Sequence, residues 1–330
     1  MHSTRLLLLA IGIAGAAVAA AAADIVSRPI ATPPSFADEI VALETITVSA
    51  AFRTEKLASA LPVTTTVVDQ VALERQFAIS ADLGDALAHF IPGYSASRQK
   101  LSSAGESFRG RDPLYLLDGI PQSNPLRAGK RESITVDPFF LQRFEAVHGS
   151  SAAQGMGATG GLINFVTRTA PETDGIKSAL EVSGVSSARF KSGGYGGKVA
   201  AISAARKVGA TLVAGATWEH KPFAFDGDGR AIGIDTTQGE TLDSDSWSVR
   251  VKAGYDFTSR HSVELFVNRF NLAQNLNWVP VNGNRARGLP TTSVRGSFPG
   301  KPAENDVTSS ALTFTDRELW EMATKNAANA

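Results

Sequence analysis

Between Ser246 and Phe257 the chain alternates without a break between polar and apolar side chains. Trp247, Val249, Val251, Ala253, Tyr255 and Phe257 fall on one face; Ser246, Ser248, Arg250, Lys252, Gly254 and Asp256 fall on the other. Successive residues of a strand point to opposite sides, so this period of two describes one two-faced strand. Its 12 residues are long for a globular sheet but suit a tilted strand crossing a bilayer. Residues 210–219 repeat the arrangement, with Ala210, Leu212, Ala214, Ala216 and Trp218 opposite Thr211, Val213, Gly215, Thr217 and Glu219. Segments 177–186, 195–206, 261–272 and 307–316 carry fainter versions, which makes at most six strands.

The connections have a pattern of their own. Lys207-Val208 and Thr258-Ser259-Arg260 are tight, whereas 187–194, 220–245 and 273–306 are long. Short and long alternate, as they do when turns face the periplasm and loops face outward. A soluble β-sandwich also has alternating strands, but strand length and loop parity together favour a membrane barrel. Beyond the N-terminus no segment holds a run of about 18 apolar residues, so insertion in a membrane falls to strands.

Residues 1–23 have the layout of a secretory signal. Arg5 precedes an apolar stretch from Leu6 to Val18, and Ala21-Ala22-Ala23 offers a small-residue cleavage site before Asp24. A membrane anchor is the rival, but the stretch is alanine-rich and no charged stop follows it. Residues 24–50 form a lead-in with Pro29, Pro33 and Pro34. It ends in Glu44-Thr45-Ile46-Thr47-Val48-Ser49-Ala50, a short β-forming segment with no obvious pairing strand nearby.

Residues 51–171 mix short elements of both kinds and predict a compact α+β domain of ~120 residues. Val63 to Val68 reads as a strand. Ser80 is the expected N-cap of a helix with Asp82 in its first turn, apolar on Leu83, Leu87 and Phe90, and stopped by Pro92-Gly93. Leu114 to Leu117 reads as a buried strand ending in the turn signal Asp118-Gly119. Asp137-Pro138 opens one helical turn, and Arg143–His148 and Leu162–Arg168 read as strands.

Composition narrows the function classes. With 32 basic and 32 acidic residues the net charge is zero, which argues against nucleic acid as a partner. The absence of cysteine excludes disulfides, thiolate metal sites and thiol catalysis. The glycines of Gly155-x-Gly157-x-x-Gly160 match a dinucleotide fingerprint by letter, but a strand-forming run follows where a helix is needed. Asp226-Gly227-Asp228-Gly229 hints at calcium but lacks the later acidic ligand. No catalytic constellation stands out; the chain is not expected to be an enzyme, and no cofactor is expected.

Within 44–170 an ordered series of motifs resembles the plug of TonB-dependent siderophore receptors. The series is Phe108-Arg109-Gly110-Arg111, Leu116 to Pro121, Asp137 to Val147, Gly149 to Ala152, and Gly157 to Asn164. The resemblance implies an α+β plug domain followed by antiparallel transmembrane β-barrel strands, in the outer membrane of a Gram-negative bacterium. It places a TonB box at Glu44, Thr45, Ile46, Thr47, Val48 and Ser49, and implies TonB, outer-membrane lipid and a ferric siderophore as partners. It assigns Arg109, Gly110, Arg143 and Glu145 to the contact between plug and barrel wall. Where relatives usually carry an acidic, an aliphatic and an arginine residue, this chain has Gln142, Ala146 and His148.

Candidate ligand contacts lie at the outer apices, 94–107 and 121–134: Tyr94, Arg98, Gln99, Lys100, Arg127, Lys130 and Arg131. Anionic chelates would favour such groups, although solvated loop charges look the same in sequence. Cobalamin, haem or a glycan is the alternative cargo. A passive porin would need no plug, a periplasmic enzyme would need a catalytic constellation, and a signalling receptor would need a further domain before the box. Six strands are also too few to close around such a domain. Together with a polar, helical-looking segment at 317–330, this suggests a truncated product that neither closes a pore nor transports by itself.

Overall fold

The computed structural model describes residues 47–48, 56–57, 63–103, 105–122, 131–150, 154, 157–234 and 239–316. The signal, most of the lead-in, Glu44–Ile46, Ser49, Arg127, Lys130 and the 317–330 segment lie outside the described residues.

Two short strands come first, β1 (Thr47–Val48) and β2 (Lys56–Leu57), paired antiparallel with Thr47 opposite Leu57. The sequence shows no obvious partner for the first segment; the structure supplies one nine positions on. β3 (Thr65–Val68) leads into α1 (Gln70–Phe77), whose N-cap Asp69 accepts from the Ala72 amide at 2.8 Å. Only Leu73 of this helix is buried, so its apolar stripe is too thin to be read from sequence. α2 (Leu83–Phe90) starts at Asp82 rather than Ser80. Asp82 accepts from the Asp85 amide, and Ser80 instead donates to the Asp85 carboxylate at 2.7 Å.

β4 (Tyr94–Ser95) and β5 (Ser107–Phe108) pair with each other across a long loop. β6 (Pro113–Leu117) turns through Asp118 and Gly119, both at positive φ, into β7 (Ile120–Pro121). Such a pair of left-handed residues makes the tight turn that joins hairpin strands. A 3-10 turn at Pro138–Phe140, capped by Asp137, precedes β8 (Leu141–His148) and β9 (Gly161–Thr167). The resulting sheet has the order β3-β8-β9-β6-β7, with β6 and β9 parallel. Gly160 and Gly161 run into β9, and a Cβ on either would meet Phe108 at 2.4 Å. Close packing therefore accounts for these two glycines, and the helix that a dinucleotide site requires is not there.

β10 (Gly175–Ser186), β11 (Tyr195–Lys207), β12 (Ala210–Lys221), β13 (Ser244–Asp256) and β14 (His261–Gln274) form an antiparallel meander. A small hairpin, β15 (Trp278–Val281) with β16 (Thr292–Arg295), interrupts the last long connection before β17 (Glu304–Asp316) joins β14. All six long strands expected from alternation are present, in the order β10-β11-β12-β13-β14-β17. The connections are short at one end of the sheet and long at the other.

The faces of this sheet are inverted relative to a soluble protein. Arg250 is 1% exposed, and Ser246, Ser248, Lys252, Lys198, Thr217 and Asn268 are also buried, against the α+β domain. The apolar face looks outward, with Leu212 48% and Leu312 74% exposed. A soluble sandwich buries the apolar side of its strands; only an apolar surrounding makes this arrangement favourable. The outward face thus suits lipid, and the inward face clasps a folded domain. One inward row runs Ile202, Gly215, Arg250, Asn268, Ser309 across five strands. Gly215 leaves the gap in that row into which the ring of Phe140 packs; a Cβ there would lie 2.7 Å from it. The main core accordingly spans both units, joining Phe140, Phe144 and Phe165 to Ala200, Ile202, Val213 and Phe266.

Candidate functional site

Three aspartates that fix local turns in the α+β domain also meet cations on the wall. Asp82 gives one oxygen to the α2 N-terminus and the other to Lys221 Nζ on β12 at 3.0 Å. Asp137 caps the 3-10 turn through the Phe139 amide and accepts from Lys198 Nζ on β11, both on Oδ1, at 2.8 and 2.7 Å. Asp118 accepts from the Thr167 amide on Oδ1 at 2.8 Å, while Oδ2 takes Arg250 and, at 3.2 Å, Lys252 on β13. Burial pushes the Asp118 carboxyl up, but Lys252 and Arg250 outweigh it and hold it below the usual carboxylate range. Arg250 also lies 4.5 Å over the ring of Phe266. Sequence reading gives these aspartates only capping and turn roles. The one available signal for more was the row of cations on the polar faces of 195–206, 210–221 and 246–257.

Arg143 Nε donates to Glu145 Oε1 at 2.9 Å, and the fully buried Glu145 accepts from Asn164 at 3.2 Å. Arg109 and Gly110 form a second left-handed turn, bridged by Phe108 and Arg111. Arg109 Nη2 lies 3.3 Å from His148 Nδ1, and His148 Nε2 lies 2.9 Å from Thr66 Oγ1. A guanidinium only donates, so His148 must accept on Nδ1 and carry its proton on Nε2. Burial and then Arg109 lower the His148 pKa. A lowered folded pKa means the unfolded chain takes up the proton first, so stability is full above about pH 6.5. It falls as the pH drops through the lower, folded value. His148→Gln should remove that loss. Wild type and variant compared by thermal unfolding between pH 5 and 8 should diverge below neutrality; parallel curves would count against the assignment.

The candidate ligand groups are placed variously. Tyr94 is buried, its hydroxyl 3.0 Å from that of Tyr115. Arg98 is exposed. The Gln99 carbonyl accepts from the Thr241 amide and hydroxyl at 2.9 and 3.1 Å. Lys100 is paired in an ion pair and a backbone bridge with Glu240, in the long connection after β12. Arg131 donates to the Glu304 carbonyl at the start of β17. Gln99 also lines a cleft of about 420 Å³ at the long-connection end of the sheet, with Asp85, Arg189, Lys221, Phe223 and Phe225. Phe223 stacks on Trp278 of the β15–β16 hairpin, centroids 4.0 Å apart, which ties two long connections together. The cleft thus offers both charges and aromatic surface. In the other motif, Arg230 bonds both Asp226 and Asp228 at 2.9 Å, so those carboxylates are engaged by the chain itself.

Residues 58–162 match the family model described as TonB-dependent Receptor Plug Domain. The "Ferric aerobactin receptor" of Klebsiella pneumoniae is 35% identical over 200 residues, covering 59% of this chain and 26% of that relative. The "Rhizobactin receptor" of Rhizobium meliloti (strain 1021) is 27% identical over 301 residues, 87% of this chain and 39% of its own length. Among solved structures, a mutant ferric enterobactin receptor from Pseudomonas aeruginosa in complex with enterobactin has a TM-score of 0.53 at 13% identity, over 77% of this chain and 39% of that one. The ferric yersiniabactin uptake receptor FyuA from Yersinia pestis has a TM-score of 0.50 at 18% identity, over 78% and 38%. The chain spans about a quarter of the length of the aerobactin receptors it matches.

Proposed function

We propose that this chain, which carries the plug domain and the first wall strands of a TonB-dependent siderophore receptor, serves the energy-coupled import of a ferric siderophore across the outer membrane of a Gram-negative bacterium. The observation that carries the reading is the inverted sheet: a wall polar toward a folded domain and apolar toward its surroundings. A channel filled in this way admits nothing until the filling rearranges, so transport demands an external source of work. The 44–49 segment would be gripped by TonB through strand addition, in which main-chain hydrogen bonds supply the affinity. Arg109, Gly110, Arg143 and Glu145 would belong to the seam that the pull must loosen.

Cargo would first bind at the long-connection end, where Gln99 lines the cleft of Phe223 and Phe225, Arg131 reaches the start of β17 and Arg98 is exposed. Tyr94 and Lys100, together with Arg127 and Lys130, complete the proposed set. The names of the relatives make ferric aerobactin the first chelate to try. Radio-iron-loaded aerobactin should bind the detergent-solubilised chain saturably, and the iron-loaded form should compete better than the iron-free form. Haem or cobalamin binding in its place would move the cargo to the alternative class, and an absence of binding to any of them would end the reading.

A further inference from the structure

We infer that Glu106 is a positioning residue that couples the two outer apices of the plug, so that they respond as one unit. Its carboxylate is 8% exposed and accepts from the Tyr115 hydroxyl on Oε1 and from Ser133 Oγ on Oε2 at 2.8 Å. Ser103 Oγ lies 3.4 Å from Ser133 Oγ, and Tyr94 reaches the same cluster through Tyr115 at 3.0 Å. Ser103 and Glu106 belong to the first apex and Ser133 to the second, so one carboxylate spans two loops 27 residues apart.

Each loop is in turn fastened to a different part of the wall. The first pairs Lys100 and Leu101 with Glu240 and Gly239 of the connection after β12. The second offers the Thr135 carbonyl to Asn268 on β14 at 3.0 Å and the Ile134 carbonyl to Asn305 on β17. A displacement of either wall segment therefore reaches the other loop through Glu106.

The charged and titratable groups around this carboxylate make its protonation part of the linkage. Tyr94, Tyr115 and Glu132 face it from the domain, and Asp82, Asp137, Glu219 and Lys221 line the narrow crevice it shares with the wall. Burial raises its pKa, although the bonds from Tyr115, Ser133 and Tyr94 oppose the rise. An acid whose folded pKa is raised favours folding most at low pH, and loses that contribution as pH rises through the folded value. The loops should accordingly loosen as the pH rises through that raised value.

The test is hydrogen exchange of the whole chain in detergent, as protection factors corrected for intrinsic rate. Glu106→Ala should lower protection in both 99–106 and 131–135 by about tenfold, the order expected for losing bonds to a buried charged acceptor. Protection in 114–117 and 161–167 should stay unchanged. Glu106→Gln, neutral and of the same shape, should restore both loops and abolish their pH dependence. Ser133→Ala, which removes the bond to Glu106 and the contact with Ser103 but leaves the carboxylate on Tyr115, decides the matter if Glu106→Ala does not fold. Loosening of one loop alone, or of the entire domain, would overturn the inference. Its bearing on cargo rests on the proposed function, and a separate arm adds ferric aerobactin to wild type. Protection gained in both loops supports the coupled response; no change with ferric aerobactin counts against the transport reading and leaves the loop coupling to the variants.

Discussion

Asp118→Asn is expected to destabilise the chain by about 3–5 kcal/mol, the usual cost of removing one partner from a buried ion pair. Asparagine tolerates the left-handed backbone at this position and can still accept from the Thr167 amide, but it turns an NH2 toward Arg250 and Lys252, so both the charge and their acceptor are lost. It leaves Arg250, 1% exposed, beside Lys252 with no carboxylate between them. Arg250→Met should cost less than Asp118→Asn, because Lys252 still faces the carboxylate at 3.2 Å. Adding Arg250→Met to Asp118→Asn should recover part of the loss, since the stranded guanidinium is gone while Lys252 keeps Glu264 at 3.9 Å. Denaturant titration in detergent, followed by tryptophan fluorescence, measures all three. A cost below about 1 kcal/mol for Asp118→Asn would mean the cations are solvated as at a surface, and the buried seam would be refuted.

That seam has a mechanical meaning. Replacing a buried ion pair by well-packed apolar groups is often neutral or stabilising, so these pairs are poor glue for their burial. They do have the property that an apolar contact lacks: once parted, each half can be rehydrated. Lys198, Lys221, Arg250 and Lys252 would then line a wet channel wall, with Asp82, Asp118 and Asp137 on the retreating domain. On the proposed function, in which the domain is seated at rest and moved under load, these pairs would complement the apolar part of the contact, where Phe140 and Phe144 meet Ile202 and Val213.

How much of this was legible depends on the range of the signal. The six wall strands announce themselves because a period of two over a dozen residues is local and long. The direction of their faces does not, since a soluble sandwich and a membrane wall share the same alternation, and only the burial of Arg250 and Lys252 decides. Asp118 reads as a turn residue because Gly119 follows it, and Asp137 and Asp82 read as cap residues because the amides they cap are two and three residues away. Their cations are 132, 61 and 139 residues distant and leave no mark in the local pattern. Helix α1 escapes notice because one buried leucine makes no stripe. The β15–β16 hairpin is hidden in a stretch long enough to pass for loop. Lys100 looks like a free loop cation until Glu240 is placed against it.

On the proposed function, and in a receptor whose wall is completed beyond the six strands described, Thr47→Pro should abolish energised uptake of the ferric chelate while leaving its binding at the outer apices intact. Thr47 and Val48 form a strand, paired with Lys56 and Leu57, so the segment is already extended with one edge engaged. Capture by a partner sheet requires main-chain donors in register along that strand. Proline removes the donor at Thr47 and fixes φ, and the preceding residue is restricted as well, so both the existing ribbon and any added strand lose their ladder. Thr47→Ala, which keeps the amide, should retain most of the uptake because side-chain identity contributes little to main-chain pairing. The proposed binding groups at 94–107 and 121–134 do not include this segment, so the two assays separate coupling from recognition. The comparison is radio-iron uptake in energised cells against binding to the same cells with the proton gradient collapsed. Normal uptake by Thr47→Pro would place the coupling segment elsewhere; loss of binding along with uptake would mean that the substitution had damaged the folded domain.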